Sequence, residues 1–165
     1  MKDIDGIYHA YFQDVYRFLL SLCRDHHTAE DLVQETFFRA YLYIEHYAGG
    51  KAKTWLFTVA YRAFIDHYRK QKRTVIKDRS FFHKLFDKRK SVEDSVVIGE
   101  EIQEVIHLLE DLPIKHKHAV LLHDFHGLSQ KEAAFVMDVQ ISHFKVLLFR
   151  GRQAIRHRKA VEDYE

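Results

Sequence analysis

The chain has one cysteine, Cys23, one proline, Pro113, and six glycines in 165 residues. A lone cysteine forms no internal disulfide, so nothing points to an oxidising compartment. So few turn formers argue against a sheet-rich protein and for long uninterrupted helices. No apolar run approaches the roughly 20 residues of a membrane span, so direct membrane insertion is not expected. The opening stretch, MKDIDGIYHAYF, also lacks the features of a secretory signal. The expected location is the cytoplasm. What is present suits a folded protein: 47% hydrophobic residues can build cores, and 30% charged residues keep the surface wet. The length fits one ordinary domain or two small helical ones.

A net charge of +2 hides a strong pattern. Residues 1–48 hold eight acids against four bases, and 51–73 hold seven bases opposed by Asp66 alone. Seven acids stand in 93–111 without a Lys or Arg, and six bases stand in 139–161 without an acid. Blocks of alternating sign suggest separate surfaces, basic for phosphate and acidic for a protein partner or for masking a basic face. Merely solvated helix faces are the plainer reading of any single block.

Hydrophobic spacing predicts the helices. Ile4, Ile7, Tyr8, Tyr11, Phe12, Val15, Leu19 and Leu22 recur at three and four, which predicts a first helix ending near 24–27. Thr28 then reads as an N-cap, with Glu30 and Asp31 in the first turn. The second helix buries Ala29, Leu32, Val33, Phe37, Ala40, Tyr41 and Ile44 and stops at Ala48-Gly49-Gly50. A third helix over about 54–72 packs Leu56, Val59, Ala60, Ala63 and Phe64 inward. Residues 1–73 form the first domain. Residues 74–95 read as a flexible linker, although Phe81, Phe82, Leu85 and Phe86 allow an extra helix there.

The second domain, 96–165, opens with Val96, Ile98, Ile102, Val105, Ile106, Leu109 and Leu112. Pro113 suits the first turn of the next helix, which Gly127 ends. Ser129-Gln130-Lys131-Glu132 is a capping box that starts a helix over 130–137. After the turn Asp138-Val139-Gln140, a last helix runs from about 141 to 159. The fold class is therefore all-α: two small helical domains on a flexible linker, the second containing a helix-turn-helix.

A short capped helix, a three-residue turn and a longer basic helix make the pattern of DNA-binding helix-turn-helix units. Ala133 and Ala134 allow close packing, and Ile141, Phe144, Leu148, Gly151 and Ile155 should face inward. His143, Lys145, Val146, Phe149, Arg150 and Arg152 fall on or beside the outward face, where early residues reach base edges and later arginines hold phosphates. A helical hairpin with a basic end is the competing reading. Segment 51–73, KAKTWLFTVAYRAFIDHYRKQKR, interleaves bases with aromatics. Tyr47, Trp55, Tyr61 and Tyr68 could stack on unpaired bases while Lys and Arg hold the backbone, or Trp55 could be core. In the second helix Asp31, Gln34, Glu35 and Phe38 share the face opposite the apolar stripe, a partner face or a solvated one. Among thirteen histidines, His116, His118, His123 and His126 are the densest group. A zinc site needs converging ligands, usually with a carboxylate or thiolate, and Cys23 is remote in sequence. His123 and His126 could share a face, but solvated or locally hydrogen-bonded histidines are expected and no metal.

The order acidic-polar helix, Trp-containing basic helix, linker, helix-turn-helix resembles the extracytoplasmic-function group of bacterial sigma factors. The resemblance lies in AEDLVQETFFRAY (29–41), TWLFTVAYRAFIDHYRKQKR (54–73) and LPIKHKHAVLLHDFHGLSQKEAAFVMDVQISHFKVLLFRGRQAI (112–155). The FKVLLFRGRQ stretch is most similar to the sigma-M-like proteins of bacilli. The resemblance implies a factor without catalysis or cofactor that lends promoter recognition to core RNA polymerase in a stress or envelope response. It implies that Asp31, Gln34 and Glu35, with Phe38 on the same face, grip the beta-prime clamp helices. It implies that the third helix and the loop before it, with Lys53, Trp55, Tyr61, Arg62, Arg69 and Lys70, open and read the −10 element. The second domain would rest on the beta flap and read the −35 element with His143, Lys145, Val146, Phe149, Arg150 and Arg152. An anti-sigma protein is a further implied partner.

Some positions depart from the family pattern. Tyr61-Arg62 stands where Arg-Asn is usual, Gln140 where Pro is common, and Val146-Leu147 where Ser-Arg is usual. Val146 donates no hydrogen bond, so readout there would be apolar, for example against a thymine methyl. A helix-turn-helix regulator with a helical sensor or dimerisation domain is the alternative, and it leaves the basic-aromatic third helix unexplained. A histidine-metal nuclease has no paired acidic ligand motif to support it.

Overall fold

A computed structural model describes residues 4–47, 50–77 and 100–164, with side chains along the end of the third helix up to residue 72. Helix α1, Ile4–Cys23, leaves its first half partly covered, but Phe18, Leu19, Leu20, Ser21 and Leu22 are buried in succession. Five consecutive buried positions cannot lie on one stripe of a helix, so its end is enclosed on every side. Arg24 then takes a left-handed conformation at φ 61 and turns the chain. Asp25 caps α2, His26–Tyr43, accepting from Thr28 N–H at 3.2 Å and from the Thr28 hydroxyl at 2.5 Å. The cap is thus Asp25 and not Thr28: the sharp turn at Arg24 starts the helix earlier, and Thr28 becomes the donor to the cap.

Helix α2 buries Ala29, Leu32, Val33, Thr36, Phe37 and Ala40. Tyr41, expected inside, is 62% exposed. The helix gives way after Tyr43 to one 3₁₀ turn, Ile44–His46. Helix α3, Ala52–Lys77, starts earlier than expected and runs past Arg73 into the expected linker. Its core face holds Leu56, Ala60, Ala63 and Phe64 as expected, and Phe57 and Tyr61 are buried as well. Helix α3 is covered on two sides, by α1 and α2 on one and by the second domain on the other. The supposed extra helix around 81–86 and the residues Val96 and Ile98 lie outside the described residues.

In the second domain α4, Glu100–Leu109, leads to Pro113, which stands at the N-cap of α5, Ile114–Val120, one place before the expected first turn. Helix α5 widens into a π turn, Leu121–Phe125, closed by His126 N–H to Leu121 O at 3.0 Å. Gly127 follows at φ 72, the left-handed geometry that ends a helix at least cost with glycine. The Ser129 capping box opens α6, Gln130–Met137, with both reciprocal hydrogen bonds made at 3.0 and 3.1 Å. Asp138, left-handed at φ 56, turns the chain into α7, Ile141–Asp163. Phe144, Leu147, Leu148 and Gly151 are the buried residues of α7. Ile141, expected inside, is exposed, while Phe144 in the same turn is fully buried. Gly151 is required by close approach, since a Cβ there would lie 2.7 Å from Val120 Cγ2 and 3.1 Å from the His116 carbonyl. Arg158 reaches Asp111 at 3.3 Å and Glu162 at 3.4 Å, tying the start of the domain to its last helix.

The two domains pack together. His126 lies between Phe18 and Phe57, with ring centroids 5.4 and 5.1 Å apart. Both phenylalanines are fully buried, and each such burial stabilises by about 1.5–3 kcal/mol. Lys53 Nζ donates to the His126 carbonyl at 2.6 Å, and the Thr54 hydroxyl donates to the Glu132 carboxylate. Tyr61 Oη and His118 Nδ1 lie 2.9 Å apart, and Arg24 meets Glu110 at 3.5 Å.

Candidate nucleic-acid interface

Three surfaces carry the candidate residues, and they differ in how open they are. On α2, Asp31, Gln34, Glu35 and Phe38 are all exposed, opposite the buried stripe. Glu35 accepts from Arg39 at 2.8 Å, and Arg39 continues to Asp66 of α3 at 3.0 Å. The Glu35 carboxylate, then Asp66, holds the Arg39 guanidinium above its ordinary pKa. This chain of charges fixes one end of the polar face. Beside it Phe38, Tyr41 and Leu42 are exposed at helical neighbour spacing. An apolar patch edged by carboxylates is the composition of a protein-binding face.

The basic-aromatic surface of α3 divides in two. Arg62, Arg69 and Lys70 are exposed, and Arg62 and Arg69, seven residues apart, share a face. Trp55 is half-buried and stacks on Tyr47 with centroids 5.0 Å apart. The other members turn to the second domain. Tyr61 is only 8% exposed, and burial pushes its hydroxyl up to about 12. Lys53 spends its ammonium on the His126 carbonyl. In this arrangement those two residues touch protein, whereas Arg62, Arg69 and Lys70 remain on the surface.

On α7 the outward residues stand free. His143, Lys145, Val146, Phe149 and Arg150 are exposed, and Phe149 shows 65% of its surface. They project from the helix that follows the capped α6 and the Asp138 turn, where a helix-turn-helix presents its recognition helix. A bare phenylalanine in water beside Lys145 and Arg150 is costly unless something apolar meets it. Arg152 differs, because its guanidinium pairs with both Asp124 oxygens at 2.9 and 2.5 Å and is held above its ordinary pKa by them. It therefore pins α7 to the π turn of α5. Arg158 is likewise engaged by acids, so the phosphate-ready part of α7 is narrower than its basic count suggests.

The histidines are the largest surprise. His123 Nδ1 lies 2.7 Å from the Leu128 carbonyl, the local bond expected. His118 is instead buried against α3, and His126 is partly buried between α1 and α3. Burial, then Lys117, pushes His118 down to about 3. Burial, then Lys53, pushes His126 down to about 4, against Asp14. Both are neutral in this arrangement. Glu132 is held down to about 2, first by the Thr54 hydroxyl and then by its Ser129 contacts. Among the described residues no group of three or more His, Cys, Asp or Glu gathers as a metal ion would require. No described helix is long and apolar enough to cross a membrane.

Comparison with known proteins agrees with this division into an N-terminal helical unit and a helix-turn-helix unit. Residues 7–74 match Sigma-70 region 2, and residues 102–155 match Sigma-70, region 4. The chain belongs to the sigma-70 family of RNA polymerase sigma factors, in its extracytoplasmic-function group. It is 43% identical over 154 residues to the ECF RNA polymerase sigma factor SigM of Bacillus subtilis (strain 168), covering 93% of each chain. It is 28% identical over 160 residues to the RNA polymerase sigma factor YlaC of the same organism, covering 93% of this chain and 90% of that one. Among solved structures it is similar to the sigma factor RpoE in complex with the anti-sigma factor NepR from Bartonella quintana, with a TM-score of 0.79 at 25% identity over 95% of this chain and 96% of that one. It shares its fold with CnrH, solved with the cytosolic domain of CnrY, at a TM-score of 0.70 and 18% identity, covering 98% of this chain and 88% of that one. The region 2 match also sets aside a sensor or dimerisation module as the first domain.

Proposed function

We propose that this sigma factor docks on core RNA polymerase through α2, reads −35 duplex with the first turns of α7, and opens and reads the −10 element with α3. It performs no catalysis of its own and works in the cytoplasm, where its polymerase is, in a stress or envelope response. Asp31, Gln34, Glu35 and Phe38 meet the beta-prime clamp helices, and the second domain meets the beta flap. Lys145, Val146, Phe149 and Arg150, with His143 beside them, reach base edges. Trp55, Arg62, Arg69 and Lys70 serve the −10 strand, joined by Lys53 and Tyr61 once these leave the second domain. Arg152 holds the recognition helix in place through Asp124.

The observation that carries this reading is the free outward stripe of α7, with basic and apolar residues side by side on the second helix of a helix-turn-helix. The similar RpoE, solved with the anti-sigma factor NepR, supports a similar inhibitor here, one that competes for the same polymerase-binding faces. The test is run-off transcription with purified core polymerase on a promoter library. Transcripts that depend on the chain and share a −35 and a −10 element are expected. No chain-dependent transcript would reject the assignment. Replacing Gln34 and Glu35 with Ala should weaken core binding with helix content intact, and unchanged affinity would remove α2 from the docking face.

A further inference from the structure

We propose that the contact between the two domains is an acid-sensitive latch, in which His118 and His126 must stay neutral for the domains to remain closed. His118 is 2% exposed and sits edge-on to Tyr61 at 5.2 Å and to Phe64 at 5.7 Å, with Nδ1 beside the Tyr61 hydroxyl. That geometry suits a phenol that donates to an unprotonated nitrogen, since at neutral pH the phenol always carries its proton. His126 fills the space between Phe18 and Phe57.

The charges around the two rings oppose a second proton on either. His118 has Lys117 beside it on its own helix and packs edge-on against Tyr61 and Phe64 of α3, with Tyr68 of the same helix lining the adjoining cavity. Cys23, Asp25 and His67 line the adjoining cavity, which also takes in Lys117. His126 faces Lys53 on α3 and Asp14 and Arg17 on α1. Asp14 alone favours an imidazolium there, against two cations. Lys53 holds the His126 carbonyl and so stays close in the closed form. Other contacts between the domains are those of Glu132 with Thr54 and, at 3.6 Å, with Lys51, and that of Arg24 with Glu110.

Once the domains part, both imidazoles meet water and take their ordinary pKa near 6.5. The closed form binds fewer protons than the open form between that value and the depressed ones. Closure is therefore complete above pH ~6.5 and weakens progressively as pH falls below it. Lowering pH from about 7.5 to about 5.5 should raise the open-to-closed ratio about 10-fold for each histidine and about 100-fold for both. Opening uncovers Tyr61 and releases Lys53. That consequence for the promoter rests on the reading of α3 as the −10 surface, whereas the opening itself does not.

The test is a titration of the full chain from pH 8 to pH 4. Histidine ring signals are followed by NMR, the radius of gyration by X-ray scattering, and helix content by circular dichroism. The expected result is that His118 and His126 protonate together, below 6.5, and that the chain expands at the same midpoint with its helices intact. His118→Gln and His126→Gln should each remove one proton from the steepness of the expansion. Ordinary titration near 6.5 without expansion, protonation without expansion, or expansion with loss of helix would each overturn the latch. Affinity for single-stranded −10 DNA, measured alongside, should rise with acid in the wild type and stay flat in the double variant. Expansion with no change in that affinity would leave the latch standing and sink the −10 reading.

Discussion

Helices α3 and α7 are both long and basic and both carry phenylalanines, yet one is shut in and the other is open. Phe149 of α7 faces solvent, while Phe57 of α3 is fully buried. The difference comes from neighbours and not from composition: α7 is packed on one side, against α5 and α6, whereas α3 is packed on two. A basic-aromatic helix thus does not announce which of its aromatics are core and which are ligand-facing. That is decided by how many partners it has.

The largest expected effect exploits that contrast. Phe57→Ala should destabilise the protein by ~3–5 kcal/mol, as a large-to-small change in a closed core does. Phe149→Ala should cost under about 0.5 kcal/mol in stability while weakening −35 binding. Chemical denaturation and DNA titration on both variants check the pair; equal stability losses would erase the distinction between the helices. Next is Gly151→Ala, whose Cβ would press on Val120 and the His116 carbonyl. It should cost about 1–3 kcal/mol and shift the recognition helix, lowering −35 affinity without touching a DNA contact. A fully stable Gly151→Ala protein would mean the helices separate more easily than their packing indicates.

These effects could be foreseen only in part from the sequence. The α6 capping box and the Asp138 turn were legible because each is local: the partners lie within a few residues and the geometry follows from residue type. Phe57 and Tyr61 lie off the single apolar stripe that spacing predicts on α3, and nothing within the helix states that a second domain covers its other side. His118 and His126 were expected in solvent or in local bonds for the same reason. The Asp25 cap was displaced by a left-handed Arg24, a conformation that an arginine does not advertise. The pairing of Arg152, expected at DNA, with Asp124 was not legible because the two lie 28 residues apart.

Smaller effects sharpen the account of α7. Ser129→Ala removes the capping box of α6 and should cost about 1 kcal/mol in thermal unfolding. A smaller change would mean that the Thr54–Glu132 contact holds the helix start by itself. Arg150→Ala should lower the salt slope of −35 binding by up to about one unit, because its guanidinium, while reaching a base edge, also displaces counterions from the phosphates beside it. Arg152→Ala should leave that slope nearly unchanged, since its guanidinium is already paired with Asp124. Equal slopes for the two variants would return Arg152 to the DNA surface.

The central claim, that α3 must be freed from the second domain before it can open DNA while α7 is free from the start, can be tested by locking the domains. Thr54→Cys and Glu132→Cys, joined by a reversible thiol crosslinker in a Cys23→Ser chain, hold the closed arrangement at a contact it already makes. The locked protein should bind −35 duplex with near-normal affinity. With core polymerase it should leave −10 thymines unreactive to permanganate, and cleaving the link should restore their reactivity. Promoter opening with the link intact would contradict the account.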